Sequence, residues 1–171
     1  MMNLFKAFFN RATKKALTMT SPRNFGRPIN HITIHCTASS VNAKVSDIKK
    51  YWKNTLRWKS VGYHYIIGRK GERHILASLS SVVNGVRGHN WDGVHISYIG
   101  GKGGKDNRTE AQKEEMFRLL EELTAPDLLG NVQVLGHRDW SPDLNGDGKI
   151  SPNEYIKLCP SFDVGKWYKN K

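Results

Sequence analysis

The sequence is poor in cysteine and has no long apolar run. Only two of its 171 residues are cysteines, Cys36 and Cys159, too few for the disulfide framework of a small secreted domain. No apolar run approaches the roughly 18 residues of a membrane-spanning helix, so we expect no transmembrane segment. With 38% hydrophobic and 25% charged residues, the composition is that of a globular domain and not of a disordered chain.

Acidic residues are scarce relative to basic ones. The chain has 15 Asp and Glu against 27 Lys and Arg, a formal net charge of +12. Such a surplus attracts polyanions over long distances. Nucleic acid, an anionic membrane surface and the anionic polymers of a bacterial wall all fit this charge, which does not choose among them.

Residues 1–28 are predicted to be a basic leader and linker. Apolar side chains near the start are interrupted by Lys6 and followed by Arg11, without the apolar block and cleavage site of a secretory signal. A frayed leader is favoured over a helix that lies on a membrane surface. We therefore expect synthesis in the cytoplasm without a clear signal peptide.

Residues 29–171 are predicted to form one α/β domain with a central, mostly mixed sheet flanked by helices. The alternation in residues 31–36 predicts a half-buried strand, with His35 on the face opposite Ile32. Ser46 is predicted to cap a first helix, and Thr109 opens a later one through a capping box with Gln112. Further strands are predicted at residues 63–69, 73–77, 94–99 and 132–137.

Three candidate metal ligands lie where predicted strands meet loops: His35, His137 and Cys159. Two imidazoles and a thiolate suit a tetrahedral Zn²⁺ ion, and three protein ligands leave a fourth position open. Spacing alone is a weak indication, because the two histidines are far apart in the sequence and single histidines are more often structural.

Four motifs in order resemble the type-2 N-acetylmuramoyl-L-alanine amidase family, which includes phage T7-type lysozymes and peptidoglycan recognition proteins. The resemblance extends from about Ile29 to about Trp167. The motifs are Ile34-His35-Cys36-Thr37-Ala38, Val61-Gly62-Tyr63-His64-Tyr65-Ile66-Ile67, Gly136-His137-Arg138 and Lys157-Leu158-Cys159-Pro160-Ser161-Phe162.

The resemblance implies a zinc-dependent hydrolase that cleaves the amide between the lactyl group of N-acetylmuramic acid and L-alanine in peptidoglycan. It implies His35, His137 and Cys159 as the zinc ligands, with Tyr63 and Lys157 as catalytic side chains. Because Lys157 and Cys159 are two residues apart, both point to the same side of an extended segment.

The sequence departs from the family around the central strand, where Gly93-Val94-His95-Ile96 replaces the usual Ser-Ile-Gly run. This departure leaves substrate contacts and the role of His95 open. His89 and Trp91 are candidates to line a substrate groove, although ordinary loop residues fit them equally well.

Residues 143–154 match a twelve-residue calcium loop, with oxygen donors at positions 1, 3, 5 and 12 and glycine at position 6. A structural Ca²⁺ is favoured over a metal-free loop, and a helix is expected only after the loop. The candidate ligands are Asp143, Asn145, Asp147, Lys149 and Glu154.

Two other functions compete with the hydrolase. A recognition module that binds peptidoglycan without cleaving it is disfavoured because Cys159 is present. A nucleic-acid binder ranks last, because no zinc-knuckle or basic-helix motif occurs. We expect a monomer that acts on the bacterial cell wall, either as a phage or prophage lysin or after export, with peptidoglycan and not nucleic acid as its partner.

Overall fold

Five strands form one mixed sheet in the order β3-β2-β4-β1-β5. The computed structural model describes residues 23–170, so most of the predicted leader lies outside the described residues. β1 is parallel to both β4 and β5, whereas β3 pairs antiparallel with β2 at one edge. The predicted mixed α/β sheet is confirmed. The strands are β1 (His31–Cys36), β2 (Tyr65–Ile67), β3 (Arg73–Ile75), β4 (Gly93–Tyr98) and β5 (Gln133–Gly136).

The helices are α1 (Val45–Lys50), α2 (Glu110–Leu123) and α3 (Val164–Lys169). None of the helices within residues 23–170 is both long and apolar enough to cross a bilayer. The predicted capping box of α2 is confirmed: Gln112 donates its backbone N–H to the Thr109 hydroxyl, and its side chain accepts the Thr109 N–H.

The predicted cap of α1 is wrong. The carbonyl of Lys44 already accepts the N–H groups of Asp47 and Ile48, so the helix begins before Ser46 and leaves that residue inside the first turn. A π-helical turn at Tyr51–Thr55 extends α1. This turn buries Trp52 and leaves Tyr51 exposed.

The two faces of the sheet differ in chemistry. On one face, Ile32 and Ile34 of β1 pack with apolar side chains of α2 and α3. Each fully buried isoleucine stabilises the fold by roughly 1.5–3 kcal/mol. The opposite face of β1 carries His31, Thr33 and His35, all of them buried. The prediction of a half-buried strand is therefore wrong, because neighbouring side chains such as Trp140 and His95 cover the polar face as well.

Arg27, near the end of the predicted linker, is buried against the domain. Its guanidinium donates hydrogen bonds to three backbone carbonyls, those of Leu79, Trp91 and Gly93, at 2.9, 2.6 and 3.0 Å. These bonds join the chain before β1 to the segment before β4. Burial lowers the pKa of Arg27, but a guanidinium stays charged in proteins.

We expect the buried His64 side chain to reduce the stability of the protein at acidic pH. The buried ring accepts the His95 backbone N–H at Nδ1 (3.0 Å) and therefore donates from Nε2 to the Ser81 carbonyl (3.1 Å). Burial lowers the pKa of His64 to about 4, against about 6.5 in an unfolded chain. Between these values the unfolded state binds a proton that the folded state does not, so stability is lost as the pH falls from about 6.5 to about 4.

The loss due to this ring should be on the order of 3 kcal/mol. Denaturant unfolding at neutral pH and at about pH 4 measures this loss of stability in the original protein and in His64→Asn. The amide oxygen of the asparagine can accept the His95 N–H but does not titrate. The variant should lose less stability over this interval. Equal losses in the two proteins would contradict the assignment.

Candidate active site

His35, His137 and Cys159 converge at one edge of the sheet. His35 lies near the end of β1, His137 follows β5 directly, and Cys159 precedes α3. The Nδ1 atoms of the two histidines are 3.0 Å apart, and the Cys159 sulfur is 3.8 Å from His35 Nδ1. One donor atom from each residue lies within 4.8 Å of the others, so the group could hold a metal ion.

These distances fit a tetrahedral ion. With ordinary metal–nitrogen and metal–sulfur bonds, the ligand atoms of such a site lie about 3.3 Å (N to N) and about 3.6 Å (N to S) apart. Burial lowers the pKa of both histidines, that of His137 to about 4, so both imidazoles are neutral at physiological pH and can donate a lone pair. The Cys36 thiol and burial raise the pKa of Cys159, so this thiol must release its proton when a cation binds.

Backbone contacts hold the three candidate ligands together. Because β1 and β5 are parallel neighbours, their carboxyl ends meet at the same edge. The Asp139 carboxylate accepts the Gly136 N–H at 2.7 Å and closes the turn that presents His137. Arg138 donates its N–H to the Cys159 carbonyl at 2.8 Å, which joins the His137 turn to the cysteine segment.

His95 contacts His35, one of the candidate metal ligands, through the ring nitrogen that does not face His137. The sequence left the role of His95 open. Its Nδ1 lies 3.1 Å from His35 Nε2. With a metal bound at His35 Nδ1, Nε2 would carry the ring proton and donate a hydrogen bond to His95 Nδ1. Burial lowers the pKa of His95 to about 3, so its ring stays neutral and can accept this bond. Such an outer contact fixes the orientation of a metal-binding imidazole.

Tyr63 and Lys157 lie beside this group in an open cleft of about 820 Å³. The Tyr63 ring is centred 4.9 Å from the His35 ring, and burial raises the pKa of its hydroxyl, which stays protonated. Lys157 is exposed, and its charge helps to lower the pKa of His137. The cleft is lined by Trp58, Tyr63, Asn84, Gly85, Val86, Arg87, Gly88, Asn90, His137, Trp140, Ser141, Ile156 and Lys157.

Comparison with known proteins identifies the family. The family model described as N-acetylmuramoyl-L-alanine amidase, Amidase_2, matches residues 25–154. The chain belongs to this amidase family. It is 31% identical over 144 residues to an endolysin of Klebsiella phage KP32, which covers 81% of this chain and 84% of the endolysin. It is also 49% identical over 86 residues to an uncharacterised protein of Haemophilus influenzae, covering 48% of this chain and 72% of that protein.

Solved structures share the fold of this amidase-family chain. The N-acetylmuramoyl-L-alanine amidase LysC from Clostridium intestinale superposes with a TM-score of 0.65 and covers 90% of this chain and 91% of its own. The two sequences are 18% identical, so this likeness establishes the fold alone.

The predicted groove residues lie outside the cleft lining of this amidase-family domain. His89 stacks on Trp140 with the ring centres 3.7 Å apart, and Trp91 is exposed. Their neighbours Gly88 and Asn90 line the cleft instead. Sequence reasoning missed Trp140 and Arg87 as lining residues, because neither belongs to a motif that indicates a substrate contact.

The calcium-like loop is held by its own hydrogen bonds. Asp143 accepts the N–H groups of Gly146 and Gly148, and both Glu154 oxygens accept protein N–H or O–H donors. Hydrogen bonds from Ser151 lower the pKa of Glu154 to about 2. None of the loop's carboxylates belongs to either group of candidate metal ligands within residues 23–170. Calcium binding therefore stays a prediction.

The prediction of a helix directly after this loop is wrong. The chain forms a single 3₁₀ turn at Pro152–Glu154. Ile156 then donates its N–H to the Ser141 hydroxyl at 3.0 Å instead of to a helical carbonyl. An irregular segment carries Lys157 and Cys159 from there to the site.

Proposed function

We propose that this protein is a Zn²⁺-dependent hydrolase that cleaves the amide between the lactyl group of N-acetylmuramic acid and L-alanine in peptidoglycan. The observation that carries the proposal is the convergence of His35, His137 and Cys159 beside an open cleft. Membership of the amidase family and likeness to a phage endolysin support the reaction class.

Zinc suits the donor set of the proposed centre. Two neutral imidazoles and one thiolate form a tetrahedral site with a position left for substrate or water. A bound Zn²⁺ would supply Lewis acidity, which polarises the scissile carbonyl and makes water more acidic. His95 would hold the His35 ring in the orientation that its Nδ1 needs for binding.

Tyr63 and Lys157 are proposed to stabilise the charge that develops during attack on the amide. Attack on the carbonyl carbon builds negative charge on its oxygen, and preorganised donors lower the barrier when they face that oxygen. The Tyr63 hydroxyl is protonated, because burial raises its pKa. Lys157 presents an ammonium on the same cleft. Both side chains can therefore donate a hydrogen bond or positive charge to the oxyanion.

The alternative, a module that binds peptidoglycan without cleaving it, is disfavoured because Cys159, the third proposed ligand, is present. Cys159 accepts the Cys36 backbone N–H at 3.2 Å, a contact that also suits a thiolate ligand. We further propose that the protein acts as a monomer on the bacterial cell wall, in the manner of a phage or prophage lysin.

Digestion of purified sacculi tests the proposed reaction. The zinc-loaded protein should release free stem peptides that begin with L-alanine, which mass spectrometry identifies. A preparation from which zinc has been stripped is the control. Glycopeptide links that remain intact after incubation with the zinc-loaded protein would overturn the proposed function.

Asp147→Ala is expected to remove a stabilising effect of calcium, if the loop at residues 143–154 holds a structural Ca²⁺. A ligand present at 100 times its dissociation constant stabilises the folded state by about 2.7 kcal/mol. Thermal melting with calcium and with a calcium-selective chelator should therefore differ for the original protein but not for the variant. Zinc retention should also fall in the variant, because the loop leads into the segment that carries Cys159.

Asp127→Ala, which changes an exposed aspartate outside the loop, is the matched control and should keep the calcium response. Identical melting of the original protein with and without calcium would refute the prediction of a calcium site.

A further inference from the structure

A second group of candidate ligands lies at the other end of β1. His31 opens this strand, and His89 and Asp92 precede the neighbouring strand β4. One ligand atom from each of these residues lies within 4.8 Å of the others. The group shares no residue with the proposed zinc centre, which uses the carboxyl end of the same strand.

The His31 Nε2 atom is buried and has no hydrogen-bond partner. The side chain is only 2% exposed, so bulk solvent does not reach this nitrogen. Its distance to Asp92 Oδ1 is 3.4 Å, longer than the about 2.7–3.2 Å of an ordinary N–H···O hydrogen bond. The same distance matches the separation of about 3.3 Å between a nitrogen and an oxygen that bind one tetrahedral ion.

Outer contacts occupy one polar atom of His31 and one of Asp92. The His31 Nδ1 atom lies 3.1 Å from the Thr33 hydroxyl, and Asn30 donates to Asp92 Oδ2 at 3.2 Å. Nε2 of His31 and Oδ1 of Asp92 are the atoms that remain, and they face each other. Partners of this kind are typical of the groups that orient metal ligands. Burial also lowers the pKa of His31, which keeps the ring neutral.

We propose that His31, His89 and Asp92 bind a second divalent cation of the Zn²⁺ class. Two imidazoles and one carboxylate are a donor set that zinc accepts. The ion would fasten the segment before β4 to the sheet. His89 also stacks on Trp140, and Trp140 lines the cleft. The second ion would therefore restrict the movement of Trp140 in the cleft wall. This inference does not depend on the proposed amidase reaction.

Metal counting tests the proposal directly. The protein is loaded with zinc in excess calcium, which occupies any oxygen-rich loop, and then freed of loose ions by dialysis. We expect two zinc equivalents in the original protein, one in Asp92→Asn, one in Cys159→Ser and none in the double variant. His89→Ala is a second variant at this group that should also hold one. Asp127→Asn, at an exposed site, is the control and should hold two.

Cobalt distinguishes the two sites spectroscopically. Co²⁺ bound through Cys159 gives a thiolate charge-transfer band, whereas Co²⁺ at a site without sulfur does not. The second cobalt equivalent should therefore add visible absorption without raising that band, and Asp92→Asn should lose only this second increment.

A single zinc equivalent in the folded original protein would overturn the second site, and so would two equivalents in folded Asp92→Asn. Failure of the proposed reaction is distinguishable, since it would appear as intact sacculi with an unchanged metal count.

Discussion

His137→Ala is expected to abolish turnover of peptidoglycan and, in the same protein, to remove the zinc equivalent bound through Cys159. The imidazole is one of the three proposed ligands, and its Nδ1 lies 3.0 Å from His35 Nδ1. With this ligand gone, two donors remain, and structural or catalytic zinc sites ordinarily use at least three protein ligands. Digestion of sacculi and the thiolate-to-cobalt band measure the two losses independently.

The matched control is His74→Ala, which removes an exposed imidazole from the edge strand β3. It should keep both activity and the cobalt band. A folded His137→Ala protein that turns over substrate at a rate near that of the original would show that this residue is not part of the catalytic centre.

Lys157→Ala is expected to separate metal binding from turnover. The lysine lies on the cleft, and its charge reaches the His137 ring, yet it supplies no metal ligand. Loss of one donor to a developing oxyanion slows related reactions by roughly 10²–10³-fold. We therefore expect kcat on a soluble muropeptide to fall by about 10²-fold or more, with zinc content unchanged.

Two further variants sharpen this test. Lys49→Ala removes an exposed lysine from α1 and should leave kcat unchanged, which controls for the loss of overall positive charge. Lys157→Arg keeps the charge and should recover part of the rate. Full activity in Lys157→Ala would remove this lysine from the mechanism.

Local patterns predicted the parts of the fold that depend on local contacts. Thr109 and Gln112 satisfy each other within one turn, so their capping box was readable from the sequence. Ser46 had the right chemistry for a cap, but the Lys44 carbonyl begins the helical hydrogen bonds earlier. For β1 the alternation identified the two faces correctly. It could not show that the polar face is covered, because the covering residues are distant in the sequence.

The candidate site was predictable to the extent that short motifs carry it. The motifs around His35, His137 and Cys159 named three residues that the structure brings together. The contact of His95 with His35 depends on strand register, which pairs Thr33 with His95, and a single sequence does not give that register. The cleft lining depends on loop conformation, so His89 and Trp91 were chosen by residue type, and their neighbours line the cleft instead.

One strand connects the proposed centre with the second ligand group. β1 carries His31 at its start and His35 near its end, and the His95 ring lies between them, 6.0 Å and 5.2 Å from their ring centres. Glycines make room for these rings, since a Cβ at Gly93 would clash with the His31 ring and one at Gly85 with the His95 ring. Close packing against these glycines therefore helps to position the His31 and His95 rings on the polar face of the sheet.

Anomalous diffraction at the zinc absorption edge, from crystals of the zinc-loaded protein, tests the central claim most directly. We predict an anomalous peak at bonding distance from His35 Nδ1, His137 Nδ1 and Cys159 Sγ, with its remaining coordination position open to the cleft. Crystals that bind zinc elsewhere while these three atoms share no ion would contradict the account.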